Sequence, residues 1–197
     1  MSEGFIAGVT KQRNAVVMVS YHIGRAIGNV KRARRQLKSI IFTQSADRKS
    51  VKYINDAQFD ITKAIGSCDM VKAYAGEVEK CLMILREGDK GERRTYLERE
   101  EFEIIEAVDK IKDDLIRENK KLKGCSELIY GWLDRDEKEL RQRGYKDDSI
   151  TLKGRKDDYL SVRKERINET YPALEVIKKR LNELLALEKT IEKEAKR

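Results

Sequence analysis

Residues 54–85 read INDAQFDITKAIGSCDMVKAYAGEVEKCLMIL. Within this stretch Ile54, Ala57, Ile61, Ala64, Cys68, Val71, Ala75, Val78, Leu82 and Leu85 recur at alternating intervals of three and four residues. Seven residues make nearly two helical turns, so these positions form one stripe down one face of a helix. A rhythm sustained beyond three heptads predicts a long helix that packs on others through that stripe.

The same rhythm runs upstream through Val16, Val19, Ile23, Ala26, Val30, Ala33, Leu37 and Ile40. Its β-branched start, Ala15 to Val19, has the local propensity of a strand. A strand would not maintain the alternation as far as Ile40, so a helix is expected. Downstream, a third stripe contains Leu97, Ile104, Val108, Ile111, Leu115, Leu122, Cys125, Ile129 and Trp132, interrupted by Glu101, Glu118 and Asp136. Those acids predict either a partly exposed helix or basic partners opposite them. A fourth stripe holds Leu160, Ile167, Tyr171, Leu174, Ile177, Leu181, Leu184 and Ile191.

The breaks between stripes are legible. Thr43 to Asp47 separates the first two, with Ser45 or Asp47 suited to cap the second helix. Gly88-Asp89-Lys90-Gly91 is a turn signal between the second and third. A longer gap covers 144–154, where Ser149 to Leu152 would form a short extended piece or a lid. Pro172, the one proline, predicts a kink or a fresh helix start, because proline lacks the amide donor a helix interior needs.

Short connections make consecutive helices antiparallel neighbours. The expected fold is therefore all-α: an elongated four-helix bundle, or two antiparallel coiled-coil hairpins, in up-down-up-down order. Residues 1–87 would be a basic hairpin and 92–197 a neutral one, packed together as one domain. Small seam residues (Ala26, Ala33, Ala57, Ala64, Ala75) favour close packing in the first hairpin.

Charge is unevenly placed. Residues 1–50 hold ten Lys/Arg against two acids, whereas the other 147 residues hold 33 of each sign. At the centre stands Lys31-Arg32-Ala33-Arg34-Arg35-Gln36-Leu37-Lys38. Val30, Ala33 and Leu37 belong to the inward stripe, so Arg25, Lys31, Arg32, Arg34, Arg35 and Lys38 are expected outside, as a ridge that attracts polyanions. Arginine forks suit phosphate, which places nucleic-acid backbone first. No zinc finger, RNP-type aromatic motif or clear helix-turn-helix accompanies the ridge, so base-specific readout is not expected. Pairing of these cations with acids of a neighbouring helix is the competing reading.

Residues 14–30 are apolar beyond the seam. An all-round apolar helix is usually central in its bundle. The alternative is a self-association surface formed by Val17, Tyr21, Gly24, Ile27 and Gly28. This makes a self-assembling scaffold or filament subunit the second functional expectation, and peripheral binding to an anionic membrane the third.

Enzyme chemistry has little foothold. His22 is the single histidine, too few for a di-iron bundle or a His-rich zinc site. Cys68, Cys81 and Cys125 form no Cys-x-x-Cys motif, which argues against a disulfide framework and for a reduced compartment. Asp147, Asp148, Asp157 and Asp158 bracket the long gap; Asp157 and Asp158 are expected to serve the first turn of the fourth helix, and a metal site is not expected. There is no phosphate loop, dinucleotide fingerprint or Ser/His/Asp set. The chain is thus expected to be a non-enzymatic binding or structural protein, without metal or cofactor. The longest nearly uncharged stretch, 14–24, is far short of the roughly 20 residues of a membrane span. With no secretory leader visible, a cytoplasmic location is expected.

Overall fold

A computed structural model describes residues 3–36, 44–84, 91–142 and 166–196. Every described segment is helical. Helix α1 spans Glu3–Gln36, α2 Gln44–Ile84, α3 Gly91–Gln142 and α4 Asn168–Lys196, the last preceded by a π-helical turn at Arg166 and Ile167. Among the described residues the expected all-α, four-helix architecture is the observed one.

The stripes are buried as their spacing requires. Val16, Val19, Ile23, Ala26, Val30 and Ala33 on α1 are at most 1 % exposed, and the α2 stripe from Ile54 to Leu82 is at most 2 % exposed. The α1 rhythm also starts earlier than the sequence reading placed it, adding Phe5, Val9 and the polar Gln12, all fully buried. On α4 the seam passes through buried Thr170, and Tyr171 beside it is half-buried, a correction of one position. Ser45 and Asp47 lie inside α2, which begins at Gln44, so neither precedes it as a cap. Pro172 sits within α4, four residues after Asn168, so the helix restarts before the proline and not at it. The 144–154 gap, the Asp147/Asp148 and Asp157/Asp158 pairs, Leu37, Ile40, Leu85 and Leu160 lie outside the described residues, and so does the side chain of Asp136.

The chain divides into two compact units that cross both hairpins, since each takes a part of all four helices. The first comprises Met1–Ile23, Thr62–Ile116 and Val176–Arg197. Here α1 and α2 run antiparallel: a Cβ on Gly4 would lie 3.7 Å from Cys81 Sγ, a Cβ on Gly8 only 3.0 Å from Val78 Cγ2, and Lys11 pairs with Glu77. The absent side chain at Gly8 is what lets the two backbones approach. Lys72 pairs with Asp109 and Lys112 with Asp69 between α2 and α3, and Arg180 with Asp114 between α3 and α4.

The second unit comprises Gly24–Ile61 and Arg117–Glu175. Asn29 on α1 donates to Asp60 on α2 at 3.1 Å, and Asn55 on α2 donates to the Tyr130 hydroxyl on α3 at 3.3 Å. Lys31 on α1 lies 3.7 Å from Glu175 on α4. The apolar core of this unit is drawn from Val30, Ala33, Val51, Ile54, Leu122, Cys125, Ile129, Trp132, Ile167 and Leu174.

Candidate functional site

Tertiary structure redistributes the charge. The second unit contains 24 Lys/Arg and 16 Asp/Glu, a net +8, whereas the first contains 19 of each and is neutral. The excess thus belongs to one compact unit and not merely to the first fifty residues of the chain. Clustering by fold concentrates a field that counting along the sequence only partly locates.

Within this unit the seam orients the α1 cations as expected. Lys31, Arg32 and Arg35 are exposed and Arg34 is half-buried. Several are already engaged. Arg25 Nε lies 3.3 Å from Asp60 Oδ1, a carboxylate 1 % exposed. Lys31 sits 5.0 Å from the Tyr171 ring centre and near Glu175, and its pKa is raised by the Tyr171 hydrogen bond first, with Glu175 adding to it. Arg34 stacks over the same Tyr171 ring at 5.9 Å, and Arg32 over Tyr53 at 5.9 Å while donating to Asn29 Oδ1 at 3.4 Å. Arg25 and Lys31 thus meet acids of neighbouring helices, while Arg32 and Arg35 face outward. Lys38 lies outside the described residues.

The residues expected to self-associate separate. Val17 and Tyr21 are 46 % and 54 % exposed, with Met18 beside them at 46 %. Residues 14–30 are therefore not buried all round, and the central position expected for them is corrected. A Cβ on Gly24 or Gly28 would meet nothing within 4 Å. Ile27, at 4 % exposure, belongs to the core and is unavailable for a contact with another chain. Its side chain lies one residue beyond Ala26 on the widened inner face, which strict three-four counting excluded.

Two of the third stripe's acids are seam residues. Glu101 and Glu118 are 4 % and 1 % exposed, so α3 is not turned outward at these points. In the first unit, Gln12 Nε2 donates to Glu101 Oε1 at 2.5 Å. Burial raises the Glu101 carboxyl to about 7, against the Gln12 bond, with Glu79 adding to the rise. Glu188, fully buried on α4, is raised to about 8 by burial and then by the Glu101 charge, while Arg13 opposes and Glu192 reinforces the shift. Arg13 itself is hydrogen-bonded to Glu192. Glu101 thus meets an amide and a second carboxylate where a cation was one of the two expectations. In the second unit Glu118 does meet cations: Lys121 Nζ donates at 3.0 Å and Arg117 Nε lies 3.7 Å away.

Burial holds two of the three thiols protonated. Burial pushes Cys68 up to about 12 and Cys125 to about 11, the latter despite the opposing charge of Arg166. His22 is half-buried and meets Tyr21 edge-on, with ring centres 5.3 Å apart. Among the described residues no group of three or more His, Cys, Asp or Glu is placed to hold a metal ion, and no helix is long and apolar enough to cross a membrane.

No protein-family model matches the chain, and no curated protein or solved structure matches it.

Proposed function

We propose that this is a helical binding protein whose second unit engages a phosphate-rich polyanion, nucleic-acid backbone first, through the outward cations of α1. The observation that carries the reading is the partition of charge: one compact unit holds the whole net +8 while the other is neutral. Arg32 and Arg35 supply outward guanidiniums, which make paired contacts to phosphate oxygens. Tyr53 and Tyr171 steady Arg32 and Arg34 from one side, and side chains ordered beforehand lose less entropy on binding. Recognition by charge and shape is expected, because the sequence carries no zinc finger, RNP-type aromatic motif or clear helix-turn-helix.

Fluorescence anisotropy with labelled mixed-sequence oligonucleotides, at about 50 and 200 mM salt, tests the reading. Affinity should fall steeply with salt, and the double variant Arg32→Glu, Arg35→Glu should lose it while circular dichroism stays helical. Arg34 is left unchanged because its stacking on Tyr171 is structural. Binding by the double variant equal to that of the parent protein rejects the proposal.

A second reading, self-association, has one specific observation in its favour: Val17, Met18 and Tyr21 expose an apolar patch on α1 of the first unit. Light scattering over a hundredfold concentration range separates it from the first. A mass that rises with concentration and is returned to monomer by Val17→Glu with Tyr21→Glu supports it; a constant monomer mass removes it.

A further inference from the structure

In the second unit a cavity of about 390 Å³ lies between α2 and α3. Its volume falls within the roughly 300–1,000 Å³ of small-ligand sites. Among the described residues that line it, Val51 is 3 % exposed and Leu133 half-buried, which gives the cavity an apolar surface. Tyr130 lines it too and is 52 % exposed. This aromatic side chain stands outside the α3 seam, which passes through buried Ile129 and Trp132 on either side of it.

The ring is held in place. Asn55 on α2 donates to the Tyr130 hydroxyl at 3.3 Å, so the phenol is rooted on α3 and tied at its tip to α2. A side chain fixed at both ends loses little freedom when a ligand stacks on it. Lys52 and Asp56 line the same cavity and set a cation and a carboxylate beside the ring.

We infer that this cavity receives one unstacked base of a single-stranded nucleic acid, lying against Tyr130. The inference rests on the polyanion reading and deepens it. The cavity belongs to the unit that carries the net +8, whose field draws anionic ligands. Lys52, in the cavity lining, is followed at once by Tyr53, which lies under Arg32 of the α1 ridge. A strand whose phosphates follow the ridge therefore runs within reach of the cavity. Stacking needs only a π-face, which every base has, so the ring adds affinity without reading sequence. Bases inside a duplex have their faces covered by neighbours, whereas those of a single strand can be splayed onto an aromatic side chain.

Fluorescence anisotropy of the full chain with two labelled single strands of equal length tests this. One has a mixed sequence; the other is abasic throughout and keeps the phosphates without the bases. The parent should bind the base-bearing strand about tenfold more tightly, the worth of one stacked base. Tyr130→Ala should erase that preference and leave affinity for the abasic strand unchanged. It should stay helical by circular dichroism, because the side chain is more than half exposed. Tyr130→Phe keeps the ring and should keep most of the preference, with Asn55→Ala, which frees the ring's tip, between the two. Arg32→Glu with Arg35→Glu should weaken both strands alike.

Equal binding of the two strands by the parent overturns this inference alone and leaves the polyanion reading standing. Binding of neither strand removes the reading and the inference together. A preference that survives intact in Tyr130→Ala overturns the inference as well, since the base then lies elsewhere. Adenosine monophosphate, titrated by itself, should bind at least about a hundredfold more weakly than the base-bearing strand, because it lacks the linked contacts along the ridge. Equal affinity of the mononucleotide would make the ligand a free nucleotide and would overturn its assignment to a strand.

Discussion

The two units draw on the same four helices but treat charge in opposite ways. In the first, the groove between α3 and α4, about 610 Å³, is lined by Glu103, Glu106, Asp113, Asp114 and Glu183 against Lys110 and Arg180. In the second, the described residues that wall a cavity on α3 and the turn before α4 are arginines and lysines. The contrast continues inside. The buried acids of the second unit are answered by cations, Asp60 by Arg25 and Glu118 by Lys121 and Arg117. In the first unit Glu101 accepts from Gln12, Glu188 lies in the field of the Glu101 charge, and the nearby Arg13 is taken up by Glu192. A helical seam therefore accommodates an acid in two ways: it leaves the charge on and supplies a counter-charge, or it retains the proton. Which solution a unit adopts decides how it responds to pH and to salt.

The largest expected effect would break the comparison from the first unit's side. Burial raises Glu188 from 4.5 to about 8, and Glu101 from 4.5 to about 7. Below about pH 4.5 both the folded and unfolded chains hold these protons, and no penalty arises. As pH rises toward 8 the unfolded chain ionises while the folded one keeps its protons, so stability falls. Glu188→Gln should therefore melt close to the parent at pH 5 and well above it at pH 8.5. The difference should approach about 4 kcal/mol, at about 1.4 kcal/mol per unit of pKa. A difference independent of pH would mean that Glu188 titrates alike in the folded and unfolded chains.

Next in size is the effect of charge on polyanion binding. Arg32→Glu with Arg35→Glu should cost about a hundredfold in oligonucleotide affinity and flatten the log–log salt slope by about 2, since each phosphate contact contributes about 0.9. Lys110→Gln with Arg180→Gln, in the first unit's groove, should change affinity less than twofold. Equal losses from both pairs would erase the functional difference between the units.

A smaller effect sharpens the contrast in buried acids. Asp60→Ala strands Asn29 and removes the carboxylate beside Arg25, so chemical denaturation should show a loss of about 2 kcal/mol. The same substitution at Glu188 should cost far less above pH 8, because it also removes a carboxylate that opposes folding.

The smallest effects concern α1. Gly24→Ala and Gly28→Ala have open space for a methyl group and should each stabilise the helix by about 1 kcal/mol. Gly8→Ala meets Val78 at 3.0 Å and should not show the same gain. If the Gly24 and Gly28 variants are stabilised and also lose self-association, those glycines serve a contact outside the chain.

Much of the fold was legible because the three-four alternation is a local property. Ile54 to Leu82 declare their common face without reference to any other helix, and that face is buried. The reading failed where a position's fate depends on a neighbour. Gln12 is polar and was passed over, yet it completes the α1 seam because Glu101 from α3 meets it there. Tyr171 stands at three-four intervals from Ile167 and Leu174, yet Thr170, smaller and polar, occupies the seam while the Tyr171 ring supports Lys31 and Arg34. The α1 ridge was visible as a run of cations, but its pairing with Asp60 and Glu175 was not. The basic spacing of Arg117, Lys120 and Lys121 was also on view, and resembled any solvated helix face until Arg166 was laid across Gly124.

The sequence by itself determined that the described residues are helical and which stripe of each helix turns inward, because helical periodicity acts over a few residues. Tertiary structure alone decided which buried acids retain protons and which meet cations, and how +8 and zero divide between two units. It also decided that a glycine on α3 would seat an arginine more than forty residues away. Those outcomes depend on distances between helices, and nothing in the order of residues along one helix encodes them.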